Sequence, residues 1–463
     1  MQTPREILAD LWTLAGGELS ALEAVKLTGD EPQLPSSFRV AAAAQTSIAA
    51  AGLAAAQIWK LRRGQSQDVA VEMRHAVVEC RSERYLRVDD TPPPPAWDVI
   101  AGVYKTRDNS FVRLHTNFPH HRDAVCKVLN CKPERDDVQA ALLQWDAEAF
   151  ETAAYAEGGV VAMMRSRDQW SDLPHARALA ALPLISIEKI GEAAPKPWPG
   201  GDRPLAGLRV LDLSRVIAGP VAGRTLAAHG ADVLLVSGPK LPAIPWLTID
   251  TGRGKLTSFV ELKSEQGRDS LRALLAQADI FSQGYRPDSL ARLGFSPQHV
   301  AQISPGIVYV TLSAYGHAGP WAERRGFDSL VQTTTGFNHA EGQAAGVDGP
   351  KELPTQILDH ATGYLMAFGA MMARARQSRE GGSWHVRVSL AQTGQWLWNL
   401  GRVTDGLKTE DLKGDAVHPF LEQVPSGFGP LSSVSHSARL SKTPAFWARP
   451  AMPLGSHPPQ WPR

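Results

Sequence analysis

Between Leu208 and Leu312 short apolar runs alternate with amphipathic segments, and this alternation limits the fold more than any other feature of the 463-residue chain. Leu208 to Leu213 reads as a buried strand, Val221 to His229 as a helix stopped by Gly230, and Val233 to Val236 as the next strand. Ser264 caps a predicted helix with Leu271, Leu274, Leu275 and Ala278 on one face. Ile280-Phe281 and Ile307 to Leu312 supply further strands. Strands that return through helices run parallel, and a parallel sheet must be covered on both faces. The expected class is therefore α/β, an open, mainly parallel sheet with helices on both faces.

Two proline-rich breaks, Thr91 to Pro95 and Ala193 to Pro204, divide the chain. A shift of 317 positions lays Ala42 to Met73 on Asp359 to Leu390 without a gap, with nine identities, Gly52/Gly369, Gly64/Gly381 and Val69/Val386 among them. Both segments read as a small-residue helix, a glycine turn and a Val-x-Val strand. Asp359 opens one copy and Ala42 the other, so only one copy can do carboxylate chemistry.

Lys and Arg number 48 against 47 Asp and Glu, which leaves no broad basic field for nucleic acid. Cys80, Cys126 and Cys131 are too few for a disulfide framework and lack zinc spacing; a reducing compartment fits and no metal site is expected. No secretory signal is read at the N-terminus, and the alanine-rich run Ala41 to Ile58, broken by Gln45, Thr46 and Ser47, reads as a buried helix rather than a membrane span. A cytoplasmic protein with no membrane partner is expected.

Four segments carry chemistry. The turn Arg215-Val216-Ile217-Ala218-Gly219-Pro220 follows the first strand of the alternating region, at the end where open α/β sheets bind ligands, and it lacks the G-x-G-x-x-G spacing of a dinucleotide fold. Arg253-Gly254-Lys255, and Tyr285-Arg286-Pro287 with Arg292, place cations and an aromatic ring near strand ends, where they suit a phosphorylated nucleotide. Asp359 opens a helix, as a cap or as a carboxylate nucleophile. His317, His339 and His360 form no metal or triad spacing.

Taken in order, Val210 to Pro220, Arg253-Gly254-Lys255, Tyr285-Arg286-Pro287, Arg292 to Phe295, Tyr315-Gly316, Gly326-Phe327-Asp328 and Asp359-x-x-Thr-Gly resemble the class III CoA-transferases, the CaiB/BaiF-like family of formyl-CoA and carnitine CoA-transferases, across residues 205 to 400. The resemblance implies a CoA-binding domain with a smaller α+β domain, and chains interlocked in a homodimer. It implies Asp359 as the nucleophile that takes an acyl group from a CoA thioester. Val216, Ala218, Gly219, Arg253, Lys255, Tyr285, Arg286 and Arg292 match the cofactor-binding positions, with acyl-CoA as substrate rather than a tightly bound cofactor and a small carboxylic acid as acceptor. Two alternatives stay open: an acyl-CoA racemase of the same fold, disfavoured because Phe327 fills the histidine column, and a non-catalytic CoA-binding protein.

The order departs from that family, because the small-domain segment precedes the CoA domain. The expected division is residues 1–90 as a degenerate copy of the catalytic-helix segment, 91–192 as the small domain, 193–204 as linker, 205–400 as the CoA domain and 401–463 as a tail.

Overall fold

The computed structural model describes residues 1–462. Its main element is a seven-stranded sheet built from β1 (Ser186–Gly191), β2 (Arg209–Leu213), β3 (Asp232–Ser237), β4 (Lys255–Phe259), β5 (Ile280–Gln283), β6 (Val308–Ser313) and β7 (Ser383–Ser389). The order across the sheet is β4-β3-β2-β5-β6-β7-β1. Six strands are parallel; β1 closes the edge antiparallel to β7. Val210, Leu211 and Leu213 of β2 are all fully buried, as an apolar strand covered on both faces must be. The expected α/β class is the observed one. The stretch 193–204 links β1 to β2, so the segment before it supplies the edge of the large sheet.

Helix α3 (Ala218–Ala228) starts three residues earlier than its apolar period predicts. Gly219 and Pro220 occupy its first turn, where a missing amide costs no hydrogen bond. The strand order reverses between β2 and β5, which opens a crevice at their carboxyl ends.

A smaller unit precedes the large sheet. Strands Gly102–Lys105, Phe111–Leu114 and Val161–Met163 form an antiparallel sheet covered by α2 (Pro119–Leu129), around a separate core of Tyr104, Val112, Leu114, Val125 and Phe150.

Helix α1 (Val40–Arg63) and helix α5 (Ile357–Glu380) have bounds 317 residues apart at both ends, and they pack on one another. Each stops at a glycine of positive φ, Gly64 (69°) and Gly381 (67°). A Cβ on Gly52 would lie 3.1 Å from Val69 Cγ1, and one on Gly369 would lie 2.7 Å from Val386 Cγ1. Two pairs of identities in the repeat thus preserve one close helix-to-strand contact. By length and composition α1 could cross a membrane, yet 94% of its apolar window is buried inside the protein.

Candidate active site

The crevice at the strand reversal opens into a cavity of about 410 Å³. Its floor is the turn after β2. Asp212 Oδ1 accepts the Ser214 amide at 3.0 Å and the Ser214 hydroxyl at 2.5 Å, which bends the chain sharply after the strand. Val216 then sits at φ 72°, a left-handed conformation that a β-branched residue avoids unless the surroundings impose it. Gly219 lies directly behind, where a Cβ would come within 2.3 Å of Ser214 Cβ, so no larger residue fits. The turn delivers Val216 and Ala218, at the start of α3, to the cavity wall.

Asp359 is the third residue of α5, 7% exposed, and it lines the cavity. Its amide donates to Asp328 Oδ2 at 2.9 Å, while Gln332 Nε2 donates to Asp328 Oδ1 at 2.5 Å. Asp328 opens α4 (Asp328–Thr334) and is fully buried. Burial pushes its carboxyl up to about 6, partly countered by these hydrogen bonds. Asp359 is driven well above the ordinary aspartate range, first by burial, then by the neighbouring charges of Asp328 and Glu83. Glu83 comes from the N-terminal segment and pairs with His360 Nε2 at 3.1 Å, one residue beyond Asp359. Three carboxylates thus converge at the start of α5, and no arginine or lysine is among the charges acting on Asp359. A buried, proton-retaining carboxyl beside a cavity is the arrangement in which environment has been used to tune reactivity.

Cations gather elsewhere in the cavity. Arg215 donates to the Pro242 carbonyl and lies 5.0 Å over the Phe118 ring, and Arg325 donates to Gly158 O at 2.9 Å. Arg286 lines the cavity from the exposed loop after β5, beside Tyr285. Facing them, the start of α2 contributes His120 and His121. Burial, then repulsion from His120, Arg325, Arg215 and Arg286, drops His121 to about 3, so it is neutral at physiological pH.

Of the residues singled out in the sequence, Asp359, Val216, Ala218, Tyr285 and Arg286 line one cavity, with Gly219 packed behind them. Arg253, Lys255 and Arg292 do not line it. Lys255 Nζ is wholly buried between Asp212 Oδ2 (2.9 Å) and Pro220 O (2.8 Å) and secures the base of the turn. Arg253 binds Asp250 Oδ1 at 2.9 Å and Val434 O at 2.7 Å, tying the C-terminal region to the large sheet. Arg292 is exposed on the single turn Ala291–Leu293. Their positive charge is real, but ion pairing and topology direct it away from the cavity. His317 and His339 are not in the lining either. Asp328, Glu83, His120 and His121 escaped the sequence reading; only Asp328 carried a signal, its place in Gly326-Phe327-Asp328. Among the described residues no cluster of three or more His, Cys, Asp or Glu side chains could hold a metal ion.

Residues 205–419 match the model of CoA-transferase family III. The chain is 29% identical over 325 residues to the acetyl-coenzyme A transferase nodX of Hypoxylon pulicicidum, covering 65% of this chain and 54% of that protein. It is 28% identical over 416 residues to an acyl-CoA transferase of Gibberella moniliformis, covering 80% and 72% respectively. To the succinyl-CoA:glutarate CoA-transferase of Mus musculus it is 32% identical over 183 residues, 37% of this chain and 41% of that protein. The chain therefore spans about half the length of the first of these relatives and less than half of the mouse protein. The crevice, the strained turn after β2 and the aspartate at the start of α5 all lie within residues 205–419, the segment that matches CoA-transferase family III.

Proposed function

We propose that the protein is a CoA-transferase that moves CoA from an acyl-CoA donor to a carboxylic acid acceptor, with Asp359 as covalent nucleophile. The observation that carries this reading is the Asp359 carboxyl itself, lining the cavity without a cationic partner in a segment that matches the transferase family. A carboxylate suits the task because its acyl derivatives remain reactive enough to pass on.

Asp359, once it has given up its proton to solvent through the cavity, attacks the thioester carbonyl as a carboxylate, forming a carbon–oxygen bond and expelling the CoA thiolate. The thiolate attacks the aspartyl carbonyl, which frees the donor acid and leaves an aspartyl thioester. The acceptor carboxylate attacks that thioester, again expelling thiolate, and the thiolate takes the acceptor acyl group and regenerates Asp359. Charge appears on the oxygen of the attacked carbonyl in each step, and the backbone at Val216 and Ala218, which lines the cavity at the start of α3, offers a fixed dipole to meet it. Arg215, Arg286 and Arg325 suit the phosphates of CoA, and Tyr285 offers a ring face to the adenine. In this reading residues 1–90 are a degenerate copy of the catalytic-helix segment, and the unit over 91–192 closes on the site. Acyl-CoA is a diffusible substrate and the setting cytoplasmic; a homodimer is expected by resemblance alone.

The test is mass analysis after mixing with acyl-CoA thioesters and trapping with hydroxylamine. The expected result is modification confined to the peptide that carries Asp359, absent in Asp359→Ala. Transfer by Asp359→Ala at the parent rate refutes the mechanism. A second reading, exchange of the acyl α-proton, draws support from His121, a neutral imidazole in the same cavity. Deuterium from solvent entering the acyl α-carbon identifies it, because transfer requires none.

A further inference from the structure

Asp359 stands on the least secure part of its helix. It is the third residue of α5, in a first turn whose amides have no partner within the helix, and an irregular stretch over 346–356 leads into it. The turn is gripped from two sides. On one, Gln332 Oε1 of α4 accepts the Leu353 amide at 3.0 Å and Asp328 Oδ2 accepts the Asp359 amide at 2.9 Å. On the other lies a short piece of the N-terminal segment. Thr355 Oγ1 donates to Cys80 O at 2.5 Å, Arg84 Nη2 donates to Gln356 Oε1 at 3.1 Å, and Glu83 Oε2 meets His360 Nε2 at 3.1 Å. The same piece is anchored behind: Ser82 Oγ donates to Asp250 Oδ2 at 2.7 Å and accepts from Arg224 Nη1 of α3 at 3.1 Å. Residues 82 and 83 thus tie α3, whose start lines the cavity at Ala218, to the turn that carries Asp359.

Of these holds the one through Glu83 is the least replaceable. His360 is 1% exposed, its Nδ1 has no partner among the described residues, and Glu83 is the partner of its Nε2. Without Glu83 the ring is buried with neither nitrogen hydrogen-bonded, and the turn must shift to satisfy it. Glu83 does not line the cavity, so it reaches the reaction through α5.

The repeat contains this arrangement twice, with different chemistry. The helices that follow the repeated strands, Met73–Glu79 and Leu390–Leu400, also begin 317 residues apart. The stretch at the end of each copy touches the start of the other copy's long helix. Residues 80–84 meet Thr355, Gln356 and His360; in return the Trp398 ring packs edge-on against Phe38, with centroids 4.8 Å apart, and Arg402 donates to Ser37 Oγ at 2.5 Å. Reciprocal contacts of this kind mark a two-fold relation. Within it Glu83 corresponds to Leu400 and His360 to Ala43, so the polar pair beside Asp359 has an apolar counterpart beside Ala42.

Given Asp359 as the acylated residue, on which this step rests, we infer that Glu83 is a positioning residue for the transfer: it holds the His360 ring, and with it the first turn of α5, in the alignment that aims Asp359 at the thioester. The copy without a nucleophile completes the site of the copy that has one.

The full-length chain and its variants are mixed with acetyl-, isobutyryl- and succinyl-CoA, each with the other two free acids as acceptors. Both kcat and KM are read on the pH plateau, where the like charge that Glu83 places beside Asp359 does not enter, together with trapped label on the Asp359 peptide and thermal unfolding. Glu83→Asp keeps the charge but draws it back by one methylene, and is expected to lower kcat at least roughly tenfold with KM for the thioester unchanged within about twofold. Glu83→Gln, whose amide oxygen still reaches Nε2, is expected to hold kcat within about threefold of the parent. Glu83→Ala and His360→Leu should lose kcat by similar factors and the double variant no more, because the pair acts as one unit. With the parent labelled on Asp359, a folded Glu83→Asp variant at the parent kcat, a Glu83→Gln variant that falls as far as Glu83→Asp, or losses that multiply in the double variant overturn the role of Glu83 and leave the mechanism standing. A parent that turns over without label on Asp359, or does not turn over with any pair, overturns the mechanism and the role of Glu83 with it.

Discussion

Gly363 is one turn beyond Asp359 on α5, where that helix crosses the start of α3. A Cβ there would lie 2.5 Å from Ala218 O and 2.8 Å from both Val221 Cβ and Cγ1. Real Cβ atoms essentially never come within 3.0 Å of another heavy atom, so Gly363→Ala must part the two helices by about 0.5 Å. The obstacle is a backbone oxygen, which no rotamer change can move. Overpacking of this kind costs about 1–3 kcal/mol, and the better helix propensity of alanine returns about 1 kcal/mol. The net effect is small, about 0–2 kcal/mol, or a fall in Tm of at most about 2 °C in a chain of this size.

Activity is expected to fall further than stability. In the proposed mechanism the thioester meets the start of α3 at Ala218, and Asp359 lines the same cavity, so the separation would fall directly on the reacting geometry. A misplacement of about 1 Å is worth about 100-fold in rate, and half of it on the order of tenfold. Gly369→Ala is the matched control. It lies two turns further along the same helix, and its Cβ would meet the methyl groups Val386 Cγ1 (2.7 Å) and Ile185 Cγ2 (3.3 Å), away from the cavity. The assay is acyl transfer kinetics with thermal unfolding of both variants. Gly363→Ala with kcat within twofold of the parent, or the two variants losing kcat equally, refutes the claim that this crossing positions the nucleophile.

Asp328→Asn removes a like charge beside Asp359, so the acid limb of the kcat profile moves to lower pH. A carboxyl raised on folding gives stability that is complete below its unfolded value near 4 and lost as pH rises through about 6; the variant should therefore lose less Tm between pH 5 and 8 than the parent. Asp250→Ala strips Arg224 (2.7 Å) and Arg253 (2.9 Å) of their buried partner and should cost about 3–5 kcal/mol in urea unfolding. Arg286→Ala should raise KM for acyl-CoA about tenfold and weaken its salt dependence with Tm unchanged, whereas Lys255→Met should lower Tm and leave KM of the folded fraction unaltered.

How much of this was legible in the chain depended on whether the signal was local. β2, β3, β5 and β6 were readable because each is a largely buried apolar run, and the repeat because glycine and valine recur at fixed contacts such as Gly52 on Val69 and Gly369 on Val386, whereas β1, with Glu188 and Lys189 exposed at the sheet edge, and β4, which opens on a lysine, carried no such run. Asp359, Val216, Ala218, Tyr285 and Arg286 were readable because they follow strand ends or open a helix. Arg253 and Lys255 had the same local appearance, but Asp250 and Asp212 captured them, and a carboxylate 43 residues away is invisible to spacing. Glu83, His120 and His121 reach the site from elements that precede the large sheet, so nothing beside them in the sequence announces it.

The two helices related by the repeat separate what the fold needs from what the chemistry needs. At the start of α1 the Ala42 amide donates to Glu31 Oε1 at 3.0 Å, and Glu31 Oε2 is paired with Arg39 at 2.6 Å. At the start of α5 the Asp359 amide donates to Asp328 Oδ2 at 2.9 Å, and the position that corresponds to Arg39 is Gln356. An acidic side chain therefore caps both helices, satisfying an amide that would otherwise lie unpaired. One cap has a guanidinium to neutralise it, and its helix carries alanine where a nucleophile would stand. The other has none, and its helix carries the aspartate. A guanidinium at position 356 would ease the burial of Asp328 and draw the Asp359 carboxyl down toward ordinary acidity. It would also hold the carboxylate in an ion pair, where it is a weaker nucleophile. The unpaired carboxylate at the start of α5 is thus a stability penalty that the copy carrying Ala42 avoids, and a penalty confined to the copy with an aspartate accords with the role proposed for Asp359.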